Sequence, residues 1–394
     1  MALSATRSHG QQDGPQDQSF NVLFEAVSIG EQTSANRLVC SPISINLAET
    51  DGRVSDDIIR FYGTMAETGV GLVTIGASAV SVEGGSTANG MHIGPARYED
   101  GLKRLADTIR QNGALSSAQI FHVGAQGNTH YTGQPVLGPS AYTCPDIGIK
   151  ARPLEIPEIE RIEDDFAAAI LSGLASGFDF VEVHVAHGYL LHQFLSPFFN
   201  HRNDAYGGSD ENRLRIIRQI ADKVTAKQGD AFKRVGFRIS GGDFTDDGMT
   251  IERNRAFVEM MENLGAAYWV VSGGIYETAP QKYEEMKSGG YYRWAAELKA
   301  FANAPVVAQG GIRDLRQALD IVNTGQGDLI GMAQALLADP DIIKKTFYGQ
   351  ESKIIPCLEC SRCRYIKRVD LTFDCVRPDG YHPGNDKWKL TVPD

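Results

Sequence analysis

The sequence lacks the long apolar runs and the basic clusters that mark proteins of membranes and nucleic acids. No apolar run reaches the ~20 residues that a membrane-spanning helix needs. The formal net charge is −11, and no dense block of Lys and Arg offsets it, which argues against a phosphate backbone as partner. Residues 1–19 are polar and carry no secretory signal pattern. We therefore expect a cytoplasmic protein that binds neither nucleic acid nor membrane.

Nucleotide-binding loops and a disulfide framework are also missing. Neither G-x-G-x-x-G after an early strand nor G-x-x-x-x-G-K-[ST] occurs, which disfavours a doubly wound sheet. The chain has only six cysteines in 394 residues. Four of them, Cys357, Cys360, Cys363 and Cys375, share one short segment, a spacing more typical of a metal or redox cluster than of disulfides.

The chain does contain short β-rich runs that alternate with helical patterns. These runs predict an α/β fold, a (β/α)8 TIM barrel, with a polar tail at residues 1–19, the barrel at 20–350 and a Cys-containing extension at 351–394. The long, proline-containing connection Gln126–Pro157 is interpreted as a lid over the barrel mouth. The eight predicted strands are NRLVCSP, GLVTIGASAV, LSSAQIFHV, FDFVEVHVA, RVGFRIS, AAYWVVSG, APVVAQGG and GDLIGM.

The fourth strand ends in a group of polar rings. Its valines suit the helix layer outside, so Glu182 and His184 are expected to point into the barrel. The following turn brings His187 and Tyr189 to the same mouth. The histidines could be ordinary core residues, zinc ligands together with His192, or a paired donor site for a substrate oxygen. A phenol, whose ordinary pKa is about 10, can complement such a pair as an acid.

Other strand ends supply further candidates, because chemistry in such barrels lies at the carboxyl ends of the strands. An inward-pointing Arg238 needs a negative partner. The ends of strands seven and eight are candidates for a phosphate site. The candidate residues are Ser41, Pro42, Ile43, Ser44, Ala77, Gln119, Arg238, Gln309, Gly310, Gly311, Met332, Ala333 and Gln334.

The run HVAHGYLLHQFLSPFFNHRNDAYGGSDENR, from His184 to Arg213, resembles the signature of the old yellow enzyme family, the FMN-dependent NAD(P)H:flavin oxidoreductases and ene-reductases. The resemblance extends from about Leu23 to about Pro340. It implies a non-covalently bound FMN, with NADPH or NADH as hydride donor. It also implies that an enone-type small molecule is the substrate.

The resemblance also implies a role for each candidate. Ser41, Pro42, Ile43, Ser44 and Ala77 match flavin-contacting positions, and Gln119 matches the amide that reads the pyrimidine edge. Arg238 matches the cation beside flavin N1 and O2. Gly310, Gly311, Ala333 and Gln334 match the residues that bind the phosphate, and Gln309, Met332 and His184 are further candidates for cofactor binding. His184 and His187 match the pair that holds the substrate's carbonyl oxygen, and Tyr189 matches the proton donor.

Four positions depart from the family pattern. Gln334 and Ala125 stand where arginine is common. Ser44 replaces a threonine or cysteine, and Asn46 stands where some relatives place a tyrosine. The substrate preference therefore cannot be carried over. Two alternatives stay open: the same site run in reverse as a desaturase or aromatising oxidase, or a flavin-binding protein without turnover. The oligomeric state is also open, with a homo-oligomer as one option.

The cysteine segment resembles the four-iron cluster site of multidomain relatives that reduce dienoyl-CoA and 2-enoates. In those relatives the third gap is one residue longer, so that Arg364 falls where their third ligand would be. The sequence ends about twenty residues after Cys375, without the length for the modules that feed electrons to the cluster. A cluster or a zinc ion are alternatives, but we expect no stoichiometric iron, acid-labile sulfide or zinc.

Overall fold

The computed structural model describes residues 3, 15–360, 362–365, 374–377 and 380. Eight parallel strands close into a barrel and follow one another around it in chain order. The predicted (β/α)8 barrel and its eight strands are confirmed. The strands are Leu38–Cys40, Leu72–Ala79, Leu115–Phe121, Phe180–Val185, Val235–Ser240, Tyr268–Ser272, Val306–Gln309 and Leu329–Met332.

Side chains alternate between the inside and the outside of the barrel because successive residues of a strand point to opposite faces. Val181, Val183 and Val185 of the fourth strand join the large core between barrel and helices. Phe180 belongs to a second cluster inside the barrel, together with Tyr268 of the sixth strand. The predicted orientation of the fourth strand is therefore confirmed.

A helix follows each strand on the outside of the barrel. Shorter helices lie in the loops. The helical segment from Asp210 to Lys227 is divided at Leu214 and has Ser209 as its N-cap. The main helices are Asp56–Glu67, Glu99–Gln111, Ile156–Ala175, Arg215–Lys227, Arg255–Glu262, Gly290–Lys299, Leu315–Asn323 and Ile342–Phe347. The shorter α-helices are Thr129–Thr132, Leu190–Leu195, Asp210–Arg213, Ala279–Lys287, Gln334–Ala338 and Arg362–Tyr365. The 3₁₀ helices are Gln18–Phe24, Ala96–Tyr98, Gly124–Gln126, Ala231–Arg234, Glu252–Asn254 and Glu351–Lys353.

Among the described residues, two small sheets lie outside the barrel. Val27–Ile29 and Gln32–Ser34 form an antiparallel hairpin. The long connection after strand three contains a three-stranded sheet of Leu137–Gly138, Tyr142–Thr143 and Lys150–Pro153. A hydrogen bond from the Tyr142 hydroxyl to Glu277 ties this connection to the loop after strand six.

None of the helices that the structure describes combines the length and the hydropathy needed to cross a membrane. Most of the predicted tail at 1–19 and much of the extension at 351–394 lie outside the described residues. The domain boundaries at residues 19/20 and 350/351 therefore stay predictions.

The interior of the barrel is filled where Gly236 faces Tyr268. A β-carbon at Gly236 would overlap the Tyr268 ring, which is fully buried. Overpacking of this kind costs about 1–3 kcal/mol, so we expect Gly236→Ala to lower the Tm by about 2–6 °C. Thermal unfolding followed by circular dichroism measures the shift.

Gly229→Ala is the matched control, because the nearest atom to a β-carbon at Gly229 is 4.0 Å away. We expect its Tm to stay within about 1 °C of the wild type. Equal Tm values for the two variants would show that the interior near Tyr268 is not tightly filled.

Candidate active site

A cavity of about 500 Å³ opens at the carboxyl ends of the barrel strands. Its volume lies in the range of roughly 300–1,000 Å³ that small molecules and cofactors occupy in proteins. Most of the candidate residues from the sequence line it. They are Ser41, Pro42, Ile43, Ser44, Ala77, His187, Tyr189, Arg238, Gln309, Gly310, Gly311, Ala333 and Gln334.

Three candidates lie behind the cavity wall. Gln119, His184 and Met332 are buried but are not among the residues that line the cavity. Gln119 donates to a carboxylate inside the barrel, and His184 bonds to His187. The proposed direct contacts of these three residues with cofactor or substrate stay predictions.

The floor of the cavity is built on the carboxylate of Glu182. Its Oε1 accepts hydrogen bonds from Arg238 Nε at 2.9 Å and from Gln119 Nε2 at 2.6 Å. Its Oε2 accepts a weaker one from the Tyr268 hydroxyl at 3.3 Å. Glu182 is thus the negative partner that the sequence required for Arg238. Because the guanidinium and carboxylate are both buried, their pairing avoids the cost of an isolated charge.

The turn after strand four has an unusual backbone. His187 has φ 62° and Gly188 has φ 75°, in the left-handed region that costs a residue with a β-carbon about 1–2 kcal/mol. The Tyr189 N–H donates to the Ala186 carbonyl, and the Leu190 N–H donates to the His122 carbonyl. These hydrogen bonds hold the turn and direct the His187 ring into the cavity.

His192 stabilises the same turn from behind. Its Nδ1 accepts from the Gly188 N–H at 2.7 Å, and its Nε2 lies 2.9 Å from Asp243 Oδ2. The imidazole N–H donates to the carboxylate, which lowers the pKa of Asp243 against the effect of burial. His192 therefore faces Asp243, and the three imidazoles of the zinc alternative do not point at a common ion.

His187 and Tyr189 share one wall of the cavity. The Tyr189 ring lies 4.8 Å from the His184 ring and 5.1 Å from the Phe121 ring, between centroids. The His187 ring contacts the Ser272 hydroxyl, with Nε2 and Oγ 2.6 Å apart. A phenol and a hydrogen-bonded imidazole thus face the same space.

The opposite end of the cavity, formed by Gly310, Gly311, Ala333 and Gln334, is the predicted phosphate site. Gly310 and Gly311 have φ of 92° and 70°, and glycine lets the backbone adopt this conformation and approach a ligand closely. The departure at Gln334 leaves an uncharged amide at this end. A phosphate at this end would therefore be bound by backbone N–H groups more than by charge.

The cysteines of the C-terminal segment lie beside this phosphate site. Cys363 lines the cavity, and Gln334 Nε2 is 3.9 Å from its sulfur. Burial raises the pKa of Cys357, and the neighbouring thiols also raise it. Within the described ranges, no three His, Cys, Asp or Glu side chains are grouped to hold a metal ion. The metal-free state stays a prediction.

Several cavity residues could not be recognised from the sequence. Ser272 and Lys282 come from strand six and the loop after it, and Gln126 begins the predicted lid. Gln126 is 3% exposed, and both its amide atoms lack a partner in the part of the chain that the structure describes. No local motif marks these residues, because their neighbours in the cavity are distant in sequence.

The observed donor set fits FMN. Backbone at Gly310 and Gly311 suits a phosphate, Arg238 supplies positive charge at the floor, and the segment from Ser41 to Ser44 forms one side of the cavity. The barrel and this cavity fit the class of flavin-binding proteins.

Comparison with known proteins gives the family. Residues 22–353 match the model of the NADH:flavin oxidoreductase / NADH oxidase family. The chain is 34% identical over 346 residues to an NADH oxidase from Thermoanaerobacter brockii, covering 87% of this chain and 53% of the relative. It is 31% identical over 320 residues to an NADPH dehydrogenase from Bacillus subtilis, covering 81% and 92%. The chain thus belongs to this family, the old yellow enzyme family.

A solved structure supports the fold. A 2-naphthoyl-CoA reductase in complex with 2-naphthoyl-CoA superimposes with a TM-score of 0.85 at 26% identity, covering 90% of this chain and 56% of that chain. The chain spans about half the length of this reductase and of the NADH oxidase.

The buried histidines make the protein sensitive to acid. Burial lowers the pKa of His122 to about 4 and those of His184 and His187 well below 6.5. The unfolded chain takes up these protons near pH 6.5, whereas the folded chain does not, so stability falls as the pH drops from about 6.5 to 4. Each histidine contributes up to about 1.4 kcal/mol per pH unit. We expect a decline in Tm between pH 7 and pH 5.

His122→Asn tests this account, because an amide oxygen can still accept from the Gly124 N–H as His122 Nδ1 does. Its Tm should decline less steeply with falling pH than that of the wild type. His130→Asn, at an exposed position, should decline as the wild type does. Parallel curves for the wild type and His122→Asn would contradict the assignment.

Proposed function

We propose that the chain reduces the carbon–carbon double bond of α,β-unsaturated carbonyl compounds with electrons from NADPH or NADH. One observation carries the proposal: Tyr189 and His187 line the same cavity as Arg238 and the segment from Ser41 to Ser44. A proton donor and a hydrogen-bonded imidazole stand where a substrate over the flavin would lie. These are the groups needed to protonate one carbon and to polarise a carbonyl oxygen.

FMN, when bound, supplies hydride transfer from the nicotinamide and to the substrate. The protein supplies position, polarity and a proton. The histidine pair of the turn, His184 and His187, together with the residues bonded to it, binds the carbonyl oxygen. This contact draws electron density from the β-carbon. The Tyr189 hydroxyl delivers a proton to the α-carbon. Arg238, held by Glu182, provides a preorganised positive charge at the floor of the cavity.

The shape of the cavity supports an unsaturated, largely planar substrate. The rings of Phe121, Tyr189 and Tyr276 line it together. Aromatic walls of this kind suit flat apolar molecules. Lys282 also lines the cavity, and its charge adds to the effect of burial, which lowers the pKa of His184 and His187. A cation at this position favours electron-rich oxygen over a positively charged amine.

A second candidate is the same site run in reverse, as a desaturase or aromatising oxidase that uses oxygen. The name of the Thermoanaerobacter brockii relative, NADH oxidase, favours oxygen as electron acceptor. Product analysis with and without NADPH separates the two directions. We also propose that the protein is cytoplasmic, with a homo-oligomer as one option for its oligomeric state.

Tyr189→Phe tests the proton donor. We expect flavin reduction by NADPH to stay near the wild-type rate and the reaction with 2-cyclohexen-1-one to slow by about 10²–10⁴-fold, because only the second half needs the proton. Anaerobic stopped-flow absorbance measures each half separately.

Tyr276→Phe is the comparison variant. Its ring lies 6.4 Å from that of Tyr189 in the same cavity, so it loses a phenol without losing the proposed donor. We expect its enone reaction to slow by less than about tenfold. Equal slowing of both halves in Tyr189→Phe would assign Tyr189 another role.

A further inference from the structure

Lys282 places a positive charge in the wall of the cavity, on the side of strand six. It belongs to the helix Ala279–Lys287, which follows the loop after that strand. The other charged residues that line the cavity, among those that the structure describes, are Asp146 and Arg238. Lys282 is partly buried. It belongs neither to the turn after strand four nor to the predicted phosphate site.

The loop after strand six holds the methylene stem of Lys282. Gly274 has φ 72°, and a β-carbon added to Gly274 would lie 2.6 Å from the Lys282 Cβ and 2.9 Å from its Cδ. The stem therefore lies directly on the backbone of Gly274. The Lys282 N–H donates to the Thr278 carbonyl, and the Thr278 hydroxyl donates to the Asp243 carbonyl. With the stem held in this way, the ammonium group is the part of Lys282 that is available to the cavity.

The charge of Lys282 acts on the cavity side of the histidine pair. Burial is the main cause that lowers the pKa of His187, and the charge of Lys282 comes next, ahead of Arg238. For His184, which lies behind the cavity wall, Arg238 comes ahead of Lys282. The ammonium group therefore lies nearer to the space above the floor than to the floor itself.

The charges that line the cavity differ in sign and in place. Glu182 balances the charge of Arg238 at the floor. Asp146 is exposed and belongs to the predicted lid, so it repels an anionic group from that side. Lys282 attracts an anionic group on the side of strand six, more strongly than it would in bulk water because the cavity wall has a lower effective dielectric constant. A substrate that carries a negative charge is thus oriented by two opposite charges.

We propose that Lys282 binds a carboxylate of the substrate, and that the enzyme acts on α,β-unsaturated carbonyl compounds that carry such a carboxylate. The inference rests on the proposed function, since it names the substrate class of the same site. An ammonium group suits the role because its three hydrogens can donate to a carboxylate in several orientations.

The nicotinamide cofactor is the other anionic molecule that enters the cavity. Its phosphates are separated from the reacting ring by a ribose, whereas the charge of Lys282 acts on the His187 ring, close to the reacting groups. A carboxylate attached to a small enone reaches this position, and we therefore assign Lys282 to the substrate.

The test uses the FMN-loaded enzyme and two ligands of nearly equal shape, 4-hydroxybenzoate and 4-hydroxybenzamide, which differ by one charge. The change in flavin absorbance on titration gives each Kd without turnover. We expect the wild type to bind the acid about 10- to 150-fold more tightly than the amide, as for a hydrogen bond between charged groups. Lys282→Met should remove this preference and leave the Kd of the amide within about threefold. Lys282→Arg keeps the charge and should keep most of the preference.

Lys287→Met is the matched control. Lys287 is exposed, ends the same helix and does not line the cavity, so the variant loses the same charge from the same element. We expect both Kd values to stay within about twofold of the wild type, because an exposed charge is screened by salt. The inference is overturned if the wild type binds neither ligand or binds both equally, or if Lys282→Met still prefers the acid.

Turnover separates this inference from the proposed function. With trans-4-oxopent-2-enoate and its amide as substrates, Lys282→Met should lower kcat/KM for the acid by about 10- to 150-fold and leave the amide and the KM for NADPH unchanged. A higher KM for NADPH with an unchanged preference for the acid would assign Lys282 to the cofactor and overturn the inference. If neither enone is reduced but the Kd values follow the expected order, only the proposed function fails. If the wild type reduces both with equal kcat/KM, only the inference fails.

Discussion

The buried carboxylate of Glu182 is the interaction on which the site depends. It accepts hydrogen bonds from side chains of strands three, five and six, through Gln119, Arg238 and Tyr268. A single residue of strand four therefore ties four neighbouring strands together inside the barrel. It also balances the charge of Arg238, which would otherwise be costly to bury. Because Glu182 compensates its charge, the Arg238 guanidinium can be buried at the floor of the cavity, where a flavin would bind.

In the turn after strand four, buried polar side chains are again held by hydrogen-bond donors. Here the donors are backbone N–H groups instead of a cation. Two such groups, from Ala186 and Gly188, donate to Nδ1 of His184 and His192. Each imidazole then donates from the opposite nitrogen, His184 towards His187 and His192 towards Asp243. Burial lowers the pKa of His184 and His187, so these two rings are oriented without charge. A neutral, directed network of this kind can polarise a substrate without attracting anions.

Much of this architecture could be predicted from local sequence patterns. Alternation along strand four placed Glu182 and His184 inside the barrel because the period of a strand is two residues, and barrel topology then placed the strand ends at one mouth. Long-range pairings carry no such local signal. His187 bonds to Ser272 across 85 positions, and the amide of Gln126, in the predicted lid, packs against Gly188. The break at Leu214, between the helices Asp210–Arg213 and Arg215–Lys227, has no local signal either, because the apolar spacing continues across it.

The central claim is that electrons from a nicotinamide cofactor are transferred to a carbon–carbon double bond of the substrate. The most direct measurement adds one equivalent of NADPH to the FMN-loaded enzyme without oxygen, and then adds 2-cyclohexen-1-one. The account predicts that the yellow absorbance is lost on the first addition and returns on the second, with cyclohexanone as the product. Absorbance that returns only when oxygen is admitted, with the enone unchanged, would contradict it.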